Sequence, residues 1–352
     1  MAEDMFKEIK GKTRGRHGFA MIATKEIKKG TTILQENPQL VWKNPTGVPE
    51  KSDIGLGIAE VRGIHAAFHE MKKSDQDEYL QLWNLCEHLD LTNPEDKMRL
   101  QILKNNICLS FPDYNKNEII LAMKIHGIYK SNSNHEETFV YIKTSKFNHS
   151  CNANAILRDV GTTESPQIEI IAISKILYDE EIGINLAVEE LTMQNLQTRR
   201  NFLLKQFGFI CKCDLCHEEE MNGDNFRYEL FKNMEIQAAR LIGIIEEGFL
   251  MKGKNHGVQM FRQLIQCHKQ KYKYAKECHA NRRFIVNEIV CPGFDDAVGA
   301  YLYAKQCSDP KLMEEFKMNG VNFARVAVQM AKIVIGERNP AYETWKYKRD
   351  HF

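Results

Sequence analysis

Two stretches decide how this sequence reads: Phe147-Asn148-His149-Ser150-Cys151-Asn152-Ala153-Asn154, and further on Phe207-Gly208-Phe209-Ile210-Cys211-Lys212-Cys213-Asp214-Leu215-Cys216. The second packs three sulfurs into six residues. A tetrahedral zinc needs four soft, deprotonated donors at about 2.3 Å, and a tight turn presents three of them on one side. The fourth must come from elsewhere, and Cys151 and the neighbouring His217 both compete for it. Three unrelated buried thiols are the plain alternative, which the compact spacing disfavours. Asn148-His149, taken alone, reads as a loop carrying a core histidine.

Working outward, the 352 residues allow about two domains of ~100–200 residues each. Apolar residues make up 43% and charged residues 27%, ordinary globular values that exclude a disordered chain or a coiled-coil rod. Basic and acidic side chains balance at 48 and 47, so no long-range field favours duplex nucleic acid as the main partner. The densest apolar run, Ile168 to Ile173, is broken by Glu169 and is far shorter than the ~20 residues of a membrane span. Met1 to Lys10 lacks the apolar core of a secretory signal. Ten cysteines without such a signal read as thiols in a reducing compartment, the cytoplasm or nucleus. Cys86, Cys108, Cys267, Cys278, Cys291 and Cys307 are isolated and read as core or surface thiols.

The pattern of apolar residues predicts strands at Phe19–Ala23, Thr31–Leu34, Thr138–Ile142, Ile168–Ile173 and Ile182–Leu186, separated by turn residues such as Lys28-Lys29-Gly30 and Asn44-Pro45-Thr46-Gly47. Between them, residues 54–109 read as helical. Val61, Ile64, His65, Phe68 and Met71 share one helical face. Thr92-Asn93-Pro94-Glu95 starts another helix, with Met98, Ile102 and Ile107 expected inward. A helix over Thr192–Gln206 is stopped by Gly208. Beyond Cys216 the chain reads as helical, with stripes at Phe231, Met234, Ala238, Leu241, Ile245 and at Phe323, Val326, Ala327, Met330, Val334. Glu218 to Asp224 is the polar hinge candidate. No clean ~34-residue repeat runs through these helices.

The motifs recur in a fixed order: the Gly18-Phe19-Ala20 loop running on to Gly30, then Asn148-His149-Ser150-Cys151, then Asp179-Glu180-Glu181-Ile182-Gly183-Ile184-Asn185-Leu186, then Arg199-Arg200-Asn201-Phe202-Leu203, then the cysteine turn. This succession resembles the SET-domain protein-lysine methyltransferases, and among them the SET-and-MYND group, particularly its arthropod-like members. It covers the first ~45 residues and about 125–216, with weaker similarity at Gly336 to Tyr342. The resemblance implies a β-rich SET core with a knot-like closure and a post-SET zinc turn; joined with the helical patterns it gives an α+β fold, with the SET domain over 1–217, a helical insertion at about 50–125, and an all-α domain over 218–352 whose helix pairs suggest a TPR-like stack. It implies S-adenosyl-L-methionine as methyl donor, contacted by Gly18, Phe19, Ala20, Asn148, His149 and Phe209. It makes Cys151 the fourth zinc ligand beside Cys211, Cys213 and Cys216. It also implies a protein substrate, with histones among the candidates, and protein partners on the C-terminal helices; neither nucleic acid nor membrane is expected.

Four departures stand out. Residues 43–125 hold only Cys86 and Cys108, too few for the zinc-binding MYND module. Ala153 stands where the family has proline. His126 takes the place of a cofactor-contacting asparagine, and it keeps the capacity to donate and accept hydrogen bonds. Leu186 occupies the position of the catalytic tyrosine. Losing one preorganised polar group at a reaction centre costs ~3–4 kcal/mol, so a catalytically weak or inactive scaffold that binds zinc and protein partners is the competing expectation. Tyr141 and Tyr178 are the hydroxyls that would replace it.

Other tempting features read more plainly. His65, His69 and His88 are expected to be solvated or satisfied in a core. Lys269, Lys271 and Lys273 fall at i, i+2, i+4 and form no single stripe for nucleic acid. Glu180 and Glu181 are adjacent on a strand and point to opposite faces, which argues against a shared acid–base pair.

Overall fold

The protein is described by a computed structural model covering residues 5–10, 19–42, 57–134, 139–162, 165–186, 191, 193–222, 226–248, 254–277, 285–334, 336–337 and 339–352. Gly18, the Asn44–Gly47 turn, Thr138 and Cys278 lie outside these residues. The chain forms two compact units. The first contains the described residues of Met1–His149, Gly161–Ile184 and Arg200–Lys212, and the second those of Ser150–Val160, Asn185–Arg199 and Cys213–Phe352.

In the first unit, β1 (Phe6–Lys10) pairs antiparallel with β2 (Phe19–Ala23). Ala20 to Ala23 are all buried, as an unbroken apolar strand covered on both faces requires. β3 (Thr32–Glu36) pairs antiparallel with the later strand Ile168–Ala172, with a register shift between Thr32 and Leu34. β4 (Leu40–Val41) and β5 (Ser133–Asn134) flank β6 (Phe139–Val140). The expected strand through Ile142 is shorter than its composition predicts, for a visible reason. The Glu36 carboxylate accepts the amides of Lys143 and Thr144 and the Thr144 hydroxyl, each at 2.8 Å, and the Gln39 side chain accepts the Ile142 amide. Side chains thus take over from the ladder and turn the chain toward β7 (Asn148–His149). Burial raises the Glu36 pKa, and those same hydrogen bonds oppose the rise.

After β4 come α1 (Ile58–Glu70), α2 (Lys73–Tyr79), α3 (Pro94–Ser110) and α4 (Lys116–Asn132). Val61, Ile64, His65 and Phe68 form the buried face of α1, as the spacing predicts. Asn93 caps α3 through the Glu95 amide at 2.9 Å. Met98 is a correction: it is 53% exposed, while Leu103, Ile107 and Ser110 face inward. Five residues before Leu103, Met98 lies about 140° around the helix from it. Asn115 and Glu118 close a capping box at the start of α4.

The remaining strands are β8 (Ala155–Asp159), β9 (Ile168–Ala172) and β10 (Gly183–Ile184). α5 (Leu196–Phe207) begins four residues later than expected because Asn195 accepts the Thr198 amide at 2.8 Å and sets the first turn there. In the second unit follow α6 (Asp214–Asn222), α7 (Phe226–Gly248), α8 (Lys254–Glu277), a π-helical turn at Val286–Val290, α9 (Cys291–Gln306), α10 (Pro310–Val334) and α11 (Pro340–His351). Each of α7 to α11 packs on the next in chain order. Their shared core includes Phe231, Met234, Leu264, Phe294, Phe316 and Phe323, drawing on both expected stripes. Arg158 donates to the carbonyls of Lys332 and Ile333, placing a cation at the negative end of α10. Among the described residues no helix is long and apolar enough to cross a membrane.

Candidate functional site

β7 and β10 run parallel, with Asn148 opposite Gly183 and His149 opposite Ile184. Each contributes only two residues, so this pairing depends on side chains to hold it. Asn148 supplies them. Its Nδ2 donates to the Phe19 carbonyl at 2.8 Å and to the Glu181 carboxylate at 2.7 Å, tying β2 and the approach to β10 to one buried amide. The Ile182 amide donates to the Met21 carbonyl, and the Ala23 amide to that of Glu180, so the 180–182 segment lies along β2. Glu181 went unremarked in the sequence as a partner of Asn148; a carboxylate beside a buried strand crossing, on the face opposite Glu180, was the available signal. Glu180 turns the other way and accepts the Leu177 amide, consistent with the two acids not sharing a site.

His149 is buried, and its ring centroid is 6.0 Å from that of Phe209. Phe209 is placed by the end of α5. Gly208 has φ +72°, and a Cβ there would stand 2.8 Å from a Leu85 methyl, so the turn calls for glycine on both counts. Trp83 donates to the Phe207 carbonyl at 2.8 Å and stacks on His88, which ties the segment before α3 to the same turn. Lys146 sits 5.2 Å from the centre of the Phe19 ring and pairs with Glu8 and Glu78. Phe19, Asn148, His149 and Phe209 are therefore linked, and Ala20 is wholly buried in β2. His126 is wholly buried in α4, with its polar neighbours, Val61 and His65, on α1. Neither of its ring nitrogens reaches a hydrogen-bond partner. Burial, and then the charge of His65, lower its pKa to about 3; the Val61 backbone offsets this only in part.

The sulfurs of Cys151, Cys211, Cys213 and Cys216 lie within 4.8 Å of one another, and all four residues are buried. Cys151 and Cys216 approach to 3.5 Å without a disulfide. Tetrahedral coordination at about 2.3 Å puts sulfurs about 3.8 Å apart, so this donor set fits a zinc tetrathiolate. Cys216 falls in the first turn of α6, where the helix dipole favours a thiolate. Arg199 adds positive charge: its Nη2 is 3.7 Å from the Cys216 sulfur and also donates to Glu219. Burial alone would lower the Arg199 pKa, but the charges of Cys151, Glu219 and Cys216 hold it above its ordinary value. Nothing in the sequence singled out the Arg199–Glu219 pair, which forms only when α5 and α6 have folded. His217 donates its backbone amide to the Cys213 carbonyl, and its side chain is not among the four clustered ligands.

The sequence profile of the family described as "SET domain" matches residues 18–185. Over residues 18–185 the chain is similar to SET domains. The match runs from the expected glycine loop to the residue before Leu186, and so contains the β7–β10 crossing. Among curated relatives, the "Putative SET domain-containing protein L678" of Acanthamoeba polyphaga mimivirus is 24% identical over 204 residues, 57% of this chain and 74% of that protein. The "Histone-lysine N-methyltransferase SET5" of Yarrowia lipolytica is 31% identical over 114 residues, 32% of this chain and only a quarter, 25%, of that protein. A solved structure, the SET domain of LSMT bound to lysine and AdoHcy, aligns with 60% of this chain and 54% of its own at 17% identity and a TM-score of 0.37, too low an agreement to transfer any residue. Leu186 follows β10 by two residues and is half-buried.

Proposed function

We propose that the chain is an S-adenosyl-L-methionine-dependent protein-lysine N-methyltransferase, slowed by Leu186, with a structural zinc on Cys151, Cys211, Cys213 and Cys216. The observation that carries the reading is the similarity to SET domains over 18–185 together with the linked set Phe19, Asn148, His149 and Phe209 inside and just beyond that span. S-adenosyl-L-methionine, when bound, supplies an electrophilic methyl group on a sulfonium. The residues that would hold it are Gly18, Phe19, Ala20, Asn148, His149 and Phe209. His126 belongs with them by family position alone, since the groups around its ring include the Val61 backbone and His65 of α1. Backbone amides of the first loop can approach a carboxylate closely, and the Phe209 ring can cover a flat heterocycle.

The chain's own task is then to orient a lysine amine and keep it neutral, against a free pKa near ~10.4. An apolar wall does the second by desolvation, and Leu186 supplies such a wall but no oxygen. Of the two substitute hydroxyls, Tyr178 is 67% exposed on a turn and Tyr141 is 1% exposed, so Tyr141 is the better candidate to orient an amine inside an enclosed channel. The SET-and-MYND kinship, a TPR-like role for α7 to α11 in binding protein partners, a histone substrate, and a cytoplasmic or nuclear site of action complete the proposal. Leu186 also favours a second reading, a scaffold with the SET fold and no turnover.

Labelled S-adenosyl-L-methionine offered with histones and other proteins separates the two. Methyl transfer that disappears in Tyr141→Phe supports the enzyme. No transfer above a His149→Ala control supports the scaffold.

A further inference from the structure

We propose that His65 and His69 on α1 chelate a divalent transition metal of the nickel(II) or copper(II) kind, beside the Tyr114 hydroxyl. The proposal is independent of the methyltransferase reading and of the cysteine cluster. His65-Ala66-Ala67-Phe68-His69 puts two imidazoles one turn apart on the same face of a helix, the spacing at which paired histidines reach one ion. Alanine follows the first histidine, so the pair lacks the adjacent glutamate of the HExxH peptidases and offers ligands without a general base.

The two Nε2 atoms converge to 3.0 Å. With metal–nitrogen bonds of about 2.1 Å, that separation subtends about 90° at the ion. A right angle suits the square-planar or octahedral preference of nickel(II) and copper(II) better than the wider tetrahedral angle of zinc. The Tyr114 hydroxyl stands 2.8 Å from the same His65 Nε2. A ring nitrogen carries either one proton or one lone pair, so His65 Nε2 shares it between His69 and Tyr114. An ion bound by the two Nε2 atoms would replace the contact between them.

The surroundings hold the pair in place. His65 packs edge-on to His69 and against the Phe111 and Tyr114 rings, which stack on each other at 4.5 Å. His65 is buried and His69 is exposed, so one ligand is fixed by the core and the other opens the site to water and to an incoming ion. Burial also keeps His65 in the neutral form that binds metal at neutral pH.

The test uses tag-free, full-length, zinc-loaded protein dialysed against nickel(II) chloride, with both metals counted per chain and the nickel ligands read by X-ray absorption. One nickel per chain is expected, with zinc unchanged, imidazole scattering and no sulfur. Because His69 is exposed, His69→Gln should fold normally and weaken nickel binding at least ~10-fold. Absence of nickel beyond the zinc-loaded background, sulfur in the nickel shell, or unchanged affinity in His69→Gln would each overturn the proposal.

Discussion

The cysteine cluster and the pair His65 and His126 are both buried collections of metal-ligating side chains, yet they are gathered by opposite means. Cys211, Cys213 and Cys216 are brought together by a turn only six residues long, and Cys151 joins them from a distant loop. His65 and His126 instead belong to the apolar faces of two packed helices, where Val61, Ile64, Ile125 and Ile128 already supply the packing. Four clustered thiols have little reason to meet unless a cation draws them. The histidines would be buried whether or not any ion came. The comparison teaches that proximity of donors means most where packing does not already account for it.

Metal removal should sharpen this contrast most. Structural zinc is worth about 10–16 kcal/mol in small zinc domains. Stripping it with a chelator, or replacing Cys213 by serine, should abolish cooperative thermal unfolding of the wild-type kind, as followed by calorimetry. His65→Gln should leave zinc content unchanged. Equal stability with and without zinc would place the cysteines on the same footing as the histidines.

Restoring the hydroxyl comes next. Leu186→Tyr should raise the rate of methyl transfer by ~10²–10³, the equivalent of about 3–4 kcal/mol at the reacting centre. An inert parent made active by this change would establish the scaffold reading, and an equally slow variant would show that Leu186 is not the limiting position.

Acid should find the histidines. His65 and His126 have folded-state pKa values lowered by burial to about 4 and about 3, below the free value near 6.5. The unfolded chain then binds more protons than the folded one as pH falls through 6.5, so stability drops with acidification. His126 alone should cost about 3 kcal/mol by pH 4 relative to neutral pH, with His65 acting in the same direction. Urea titrations at pH 7 and pH 4.5 check this: His126→Leu should flatten the slope, and an unchanged slope would mean that the imidazole is already charged or solvated.

The smallest effect concerns the turn that places Phe209. Trp83→Phe removes one hydrogen bond to the Phe207 carbonyl and should cost about 1 kcal/mol of stability, read from a lowered denaturant midpoint, with zinc content unaltered.

Much of this was legible beforehand where local chemistry fixes structure. The strand at Phe19–Ala23, the Asn93 cap and the Gly208 stop rest on side chains close in sequence, and each forms as its neighbours dictate. The compact sulfur spacing was equally plain. What composition could not show were ends set from a distance: β6 stops at Val140 because Gln39 claims the Ile142 amide and Glu36, from another strand, those of Lys143 and Thr144. The Glu181–Asn148 bond and the Arg199–Glu219 pair arise in the same way, from partners that only the folded chain brings together. Met98 was misplaced for a simpler reason. A helical stripe read from its first apolar residue inherits that residue's phase, and here the phase belongs to Leu103 and Ile107.

Titration of zinc-loaded protein with S-adenosyl-L-methionine by calorimetry tests the central claim most directly. Saturable binding of one molecule per chain, lost in His149→Ala, is the predicted result. A folded, zinc-loaded chain that takes up none would contradict the methyl-donor site assigned to Phe19, Asn148, His149 and Phe209.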